Sequence, residues 1–137
     1  NFQILTAENG LEALQLMEKQ TNITLVLSDV LMPWMNGFEL CKKIKASPVL
    51  SDIPVILLTA LGEIDQRMYG IAEGADDYIR KPFHIDYVKV KIIRLLEERR
   101  RLQRKFMQTM QTGGIPIIEN NNLSRYWKRR MQKPIYQ

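Results

Sequence analysis

Three apolar runs in this chain each end in a polar residue able to do chemistry. Thr24-Leu25-Val26-Leu27-Ser28 leads into Asp29, with Met32-Pro33 and Asn36-Gly37 close behind. Ile53-Pro54-Val55-Ile56-Leu57-Leu58 leads into Thr59-Ala60. Asp77-Tyr78-Ile79-Arg80 leads into Lys81-Pro82-Phe83. Short apolar runs bounded by turn residues read as buried parallel strands. In an open parallel sheet, ligands bind at the carboxyl ends of the strands. A carboxylate, a hydroxyl and an ammonium would therefore meet at one edge. A carboxylate nucleophile flanked by those two groups is what phosphoryl transfer to an aspartate requires.

The elements that must position these groups alternate along the chain. Phe2-Gln3-Ile4-Leu5-Thr6-Ala7 reads as a strand. Asn9-Gly10 makes a turn, and residues 10–19 place Leu11, Leu14 and Met17 at helical spacing. After the Asp29 strand, residues 37–45 form a second helix with Phe38, Cys41 and Ile44 inward. Ser47-Pro48 and Ser51-Asp52 punctuate a loop. Residues 63–73 read as a short helix that stops at Gly74. After Lys81, residues 85–107 predict a long helix with Val88, Ile92, Leu95, Leu96 and Leu102 on one side. Strand and helix in alternation imply a parallel sheet with helices on both faces, an α/β fold.

Composition narrows the class. A chain of 137 residues with 45% apolar and 26% charged content reads as one soluble globular domain spanning 1–137. Its single cysteine, Cys41, excludes an internal disulfide, so a reduced, cytoplasmic setting is expected, with Cys41 a small core residue. No apolar run approaches the roughly 18 residues of a membrane span. The chain opens on Asn1, as a fragment or processed chain would. The net charge of +5 gathers in residues 94–105 and 125–133, which read as solvated helix faces. No aromatic-glycine RNA motif, zinc knuckle or helix-turn-helix accompanies that charge, so a nucleic-acid surface is not expected. His84, the only histidine, is expected at an exposed helix start without chemistry.

Thr59 follows Asp29 by thirty residues, Lys81 follows Thr59 by twenty-two, and Tyr78 lies three before the lysine. Together with Met32-Pro33, Gly74-Ala75-Asp76-Asp77-Tyr78 and Lys81-Pro82-Phe83, this arrangement resembles the receiver domain of two-component response regulators, over residues 1 to 107. The resemblance implies a doubly wound, five-stranded parallel sheet of flavodoxin-like fold, strand order 2-1-3-4-5. It implies that Asp29 accepts a phosphoryl group from a histidine kinase. Lys81 would pair with a phosphoryl oxygen. Thr59, with Ala60 beside it, would contact the phosphoryl group, and Tyr78 would be the aromatic that turns inward when Thr59 moves. The Leu31 backbone carbonyl would join Asp29 as a ligand of Mg²⁺, and the bond before Pro82 would be cis, which is cheap only before proline.

A receiver also needs a central first strand ending in two acidic residues, about 45 residues before the phosphoacceptor, and only 28 residues precede Asp29. Ile115-Pro116-Ile117-Ile118-Glu119-Asn120 resembles that strand, and residues 123–132 resemble the helix that follows it. The chain therefore resembles a circularly permuted receiver. Residues 1–107 carry strands two to five, 108–114 serve as linker, and 115–137 supply the first strand, from 115–119, with its helix. Glu119 and Asn120 then complete the metal ligands. Asn120 brings an oxygen without charge where the family has a carboxylate, so weak Mg²⁺ binding is expected.

The functional expectation is a phosphoacceptor that switches conformation, not an enzyme beyond its own phosphorylation and dephosphorylation. Its partners would be a histidine kinase and an output domain or dimer partner at the face formed by Ile64 to Glu73 and Asp77 to Ile79. The alternative is a degenerate receiver-like interaction module that is not phosphorylated, motivated by Asn120. An Asp-nucleophile phosphatase is disfavoured, because such enzymes carry a second Asp two residues on, where this chain has Leu31.

Overall fold

The computed structural model describes residues 2–60 and 74–113. The chain divides into two compact units, Asn1–Pro82 and Phe83–Gln137. The first holds α1 (Gly10–Lys19), β1 (Val26–Asp29), α2 (Gly37–Ala46), β2 (Val55–Thr59) and β3 (Asp77–Arg80). The second contains α3 (Ile85–Gln111). No helix among the described residues is long and apolar enough to cross a membrane.

Both described helices of the first unit begin at an asparagine cap. Asn9 Oδ1 accepts the Glu12 amide at 2.9 Å. Asn36 Oδ1 accepts the Glu39 amide at 2.8 Å while the Glu39 carboxylate takes the Asn36 amide at 3.2 Å, closing a capping box. These bonds satisfy amides that a helix start otherwise leaves unpaired. α2 then buries Phe38, Leu40, Cys41 and Ile44. Together with Met17 of α1, Val55 and Leu57 of β2, and Val30, Met35 and Leu50 from the loops, they form the core. Each such side chain contributes roughly 1.5–3 kcal/mol relative to exposure.

The three strands are parallel in the order β1-β2-β3. Val26 pairs with Val55 and Ile56 pairs with Asp77. β2 is central among them. Val55 and Leu57 enter the helix-side core and Ile56 is buried on the opposite face, so this strand is apolar up to its last residue, Thr59.

The expected five-stranded sheet is therefore seen as three strands among the described residues. Residues 2–7, expected as a strand, form none. Phe2, Ile4 and Leu5 remain exposed. A strand is held by ladder bonds and one buried face, and this stretch has neither a ladder to a described strand nor a buried face. The expected helix at residues 63–73 and the expected strand and helix at 115–137 lie outside the described residues. α3 runs four residues beyond the expected end at Met107, because no breaker interrupts it before Gly113, which has φ +76°. Of the residues placed at helical spacing on α1, Met17 is buried and Leu14 packs against the core, while Leu11 is exposed and Ala13 packs against the core.

Candidate functional site

The ladder continues one residue past each strand. The Val30 amide donates to the Leu58 carbonyl at 3.0 Å, and the Lys81 amide donates to the Thr59 carbonyl at 2.8 Å. Asp29 and Lys81 thus stand on either side of the end of β2. Their side chains bridge it, with the Lys81 ammonium in an ion pair with Asp29 Oδ1. The two side chains are 43% and 46% exposed, so the pair adds little stability. It holds a cation at the carboxylate that a phosphoryl group would reach. The Lys81–Pro82 peptide bond is cis.

Thr59 ends β2 with 1% exposure, and Ala60 beside it is exposed. Tyr78, half-buried on β3 and paired with Leu57, packs against the helix-side core. The structure brings Asp29, Thr59 and Lys81 to one edge of the sheet and places Tyr78 three residues back from it. Glu119 and Asn120 lie outside the described residues. Among those described, no three acidic, histidine or cysteine side chains cluster as a metal site.

The turn after Asp29 is built from beneath. The Gly37 amide donates to the Val30 carbonyl at 2.8 Å, and the Met35 amide donates to the Pro33 carbonyl at 2.8 Å. The buried Ser28 hydroxyl donates to the Asp29 carbonyl at 2.8 Å. Met35 is buried, whereas Leu31, Pro33 and Trp34 are exposed. His84 is the N-cap of α3 with no side-chain cap hydrogen bond, and Cys41 is buried and forms no disulfide.

Sequence reasoning missed a second polar cluster, at the amino ends of the strands. Lys45 Nζ donates to Asp76 Oδ2 at 2.8 Å and to the Ile53 carbonyl at 2.9 Å. Asp76 Oδ2 also accepts the Val55 amide at 2.8 Å, and the Asp76 amide returns a bond to the Val55 carbonyl at 2.9 Å. One signal was present. Lys45 follows Phe38 and Cys41 at helical spacing, so the apolar stripe of α2 carries an amine that needs a carboxylate partner.

The described strands form a parallel sheet with an aspartate–lysine pair and a threonine at its carboxyl edge, the core of an α/β domain. The response regulator receiver domain family matches residues 1–93, and this chain belongs to that family. The chain is 45% identical over 106 residues to a histidine kinase of Formosa agariphila, covering 77% of this chain and 8% of that protein. It is 37% identical over 113 residues to a probable transcriptional regulator of Cyanophora paradoxa, covering 82% of this chain and 44% of that one. The chain thus spans less than half of these two relatives. Among solved structures, the receiver domain of a signal transduction histidine kinase from Syntrophus aciditrophicus superposes with a TM-score of 0.66 at 38% identity. That match covers 71% of this chain and 73% of the other. The receiver domain of a Pseudomonas aeruginosa sensor histidine kinase, which holds a magnesium ion in its active-site cleft, superposes with a TM-score of 0.55 at 26% identity. There the match covers 67% and 71% of the two chains.

Proposed function

We propose that this chain accepts a phosphoryl group from a histidine kinase on Asp29 and changes conformation in response. The observation that carries this reading is the Lys81 ammonium held against the Asp29 carboxylate at the carboxyl edge of the sheet. An Asp29 carboxylate oxygen attacks the phosphorus of a phosphohistidine. The phosphorus–nitrogen bond breaks, and its electron pair stays on the imidazole, which then takes up a proton. Charge on the transferring group is met by Lys81, a flexible point charge suited to a phosphoryl oxygen. The Thr59 hydroxyl donates to the phosphoryl group once it has arrived, with Ala60 beside it. Tyr78 follows Thr59 inward, and an output domain or dimer partner reads the change at the face of Ile64 to Glu73 and Asp77 to Ile79. Such a switch is a local charge added to a two-state element.

Mg²⁺, when bound, would offset the repulsion between the carboxylate and the incoming phosphoryl group. Asp29 and the Leu31 carbonyl supply two oxygens of the kind this hard cation takes. Glu119 and Asn120 are proposed as the others. That assignment goes with the proposal that residues 115–119 supply the family's first strand, at the edge of β1 away from β2. One fact supports it: β1 pairs only with β2 among the described strands, so its other edge has no described partner. Deleting residues 111–137 is then expected to abolish cooperative unfolding and phosphorylation together. A truncated chain that folds and labels normally would overturn the permuted arrangement while leaving Asp29 as phosphoacceptor.

Intact-mass spectrometry after incubation with acetyl phosphate and Mg²⁺ tests the function directly. One phosphoryl adduct is expected on the wild-type chain and none on Asp29→Asn. No adduct on a folded wild-type chain would favour the unphosphorylated interaction module.

A further inference from the structure

We propose that Trp34 is the anchor by which this chain docks a protein phosphodonor, and that it acts on donor choice and not on the chemistry at Asp29. The inference rests on the reading of Asp29 as phosphoacceptor.

Trp34 is 83% exposed and holds φ at +69°. Each property is unfavourable for the isolated chain. An indole in water forgoes its burial, and a left-handed backbone is disfavoured for every residue with a Cβ. Glycine at this position would remove both costs. Strain of this kind, held in place by surrounding structure, gathers at functional sites. Here the surroundings do hold it. Buried Met35 follows directly, the Met35 and Gly37 amides are bonded to Pro33 and Val30, and the Asn36 capping box fixes the far side. A bulky aromatic on so pinned a turn loses little freedom when it is covered, which favours binding.

The patch is larger than one side chain. Leu31, at 80% exposure, and Pro33 flank the indole, and none of the three carries charge. Their place in the chain identifies what covers them. For transfer, the donor phosphorus must come within roughly 3 Å of the Asp29 carboxylate, in line with the breaking bond. A phosphohistidine that reaches that point brings the protein surface around it over the loops that leave the carboxyl ends of the strands, the turn that begins at Val30 among them. That surface must be apolar opposite Leu31, Pro33 and Trp34. Tryptophan is among the commonest residues to dominate such contacts. Acetyl phosphate, whose oxygen–phosphorus bond breaks to release acetate, reaches Asp29 without touching this patch.

The two donors therefore separate docking from chemistry. The full chain and its Trp34→Gly variant would be labelled with acetyl phosphate, and separately with the autophosphorylated kinase core of the Formosa agariphila relative or a phosphorylated histidine phosphotransfer domain. Glycine suits the left-handed backbone, so this variant keeps the fold. Labelling by acetyl phosphate should stay within about twofold of wild type, while transfer from the protein donor should fall about thirtyfold, mainly through KM. Trp34→Phe should restore part of that loss. Undiminished transfer from the protein donor, or an equal loss with both donors, would overturn the proposal. So would a wild-type chain that takes phosphate from acetyl phosphate and from neither protein donor, though Asp29 would still stand as phosphoacceptor. Failure of the wild-type chain with every donor would remove the phosphoacceptor reading and this inference with it.

Discussion

Replacing Asp76 by Ala is expected to lower the unfolding free energy by about 3–5 kcal/mol, the cost of breaking a buried ion pair from one side. Its side chain is 8% exposed and that of Lys45 is 10% exposed. The substitution takes the carboxylate from the largely buried Lys45 ammonium, which keeps its bond to the Ile53 carbonyl, and takes the acceptor from the Val55 amide. A small domain has only about 5–15 kcal/mol of stability in all, so the variant should be largely unfolded well below the wild-type melting temperature. Lys45→Met should cost less, because a straight apolar chain refills the space and Asp76 keeps its bond to Val55. Urea unfolding of both single variants and the double variant gives the coupling energy. If Asp76→Ala unfolds at the wild-type midpoint, the clamp is not part of what holds the sheet together.

The second large effect belongs to Gly37. A Cβ there would run into the Asp29 carbonyl oxygen and lie 2.9 Å from Val30 Cα and 3.0 Å from the Asp29 carbonyl carbon. All three are backbone atoms of Asp29, the last residue of β1, and of Val30 directly after it. They can yield only if that strand end moves, so Gly37→Ala should cost about 3 kcal/mol, at the upper end of ordinary overpacking. It should also slow labelling by acetyl phosphate, since the displaced backbone carries Asp29 away from Lys81. Gly10→Ala is the comparison. Its Cβ would meet Met35 Cβ, Cγ and Sδ, each at 2.9 Å; Cγ and Sδ can swing aside, and only Cβ is fixed to the backbone. A smaller loss is expected there. Equal losses at the two glycines, with labelling unchanged, would show that the close approach at Gly37 does not set the position of Asp29.

The site was legible because its groups sit at strand ends. An apolar run that stops at a charged or hydroxylated residue announces both a strand and its carboxyl terminus, so Asp29, Thr59 and Lys81 could be placed at one edge from spacing. Helix starts at Gly10 and Gly37 were legible because asparagine before a periodic apolar pattern has a side-chain oxygen ready for the free amides. Residues 2–7 read as a strand by composition, but a strand also needs a partner, and none of the described strands pairs with this stretch. The Lys45–Asp76 contact was hidden for a different reason. It joins residues thirty-one positions apart through a hydrogen-bonded geometry that no local pattern contains. Trp34 was visible as a residue but not as a conformation, because its left-handed backbone is set by the turn around it.

The Lys45–Asp76 contact bears on more than stability. It ties the carboxyl-terminal part of α2 to the chain just before β2 and β3, at the end of the sheet remote from Asp29. The sheet is in effect riveted at its root and open at its tip. A charge arriving on Asp29 therefore cannot shift β2 past β3 as a whole, and the available movement is a flexing of the tips and of the loops that leave them. The signal from such a domain would travel as a rearrangement of its rim over a stationary foundation.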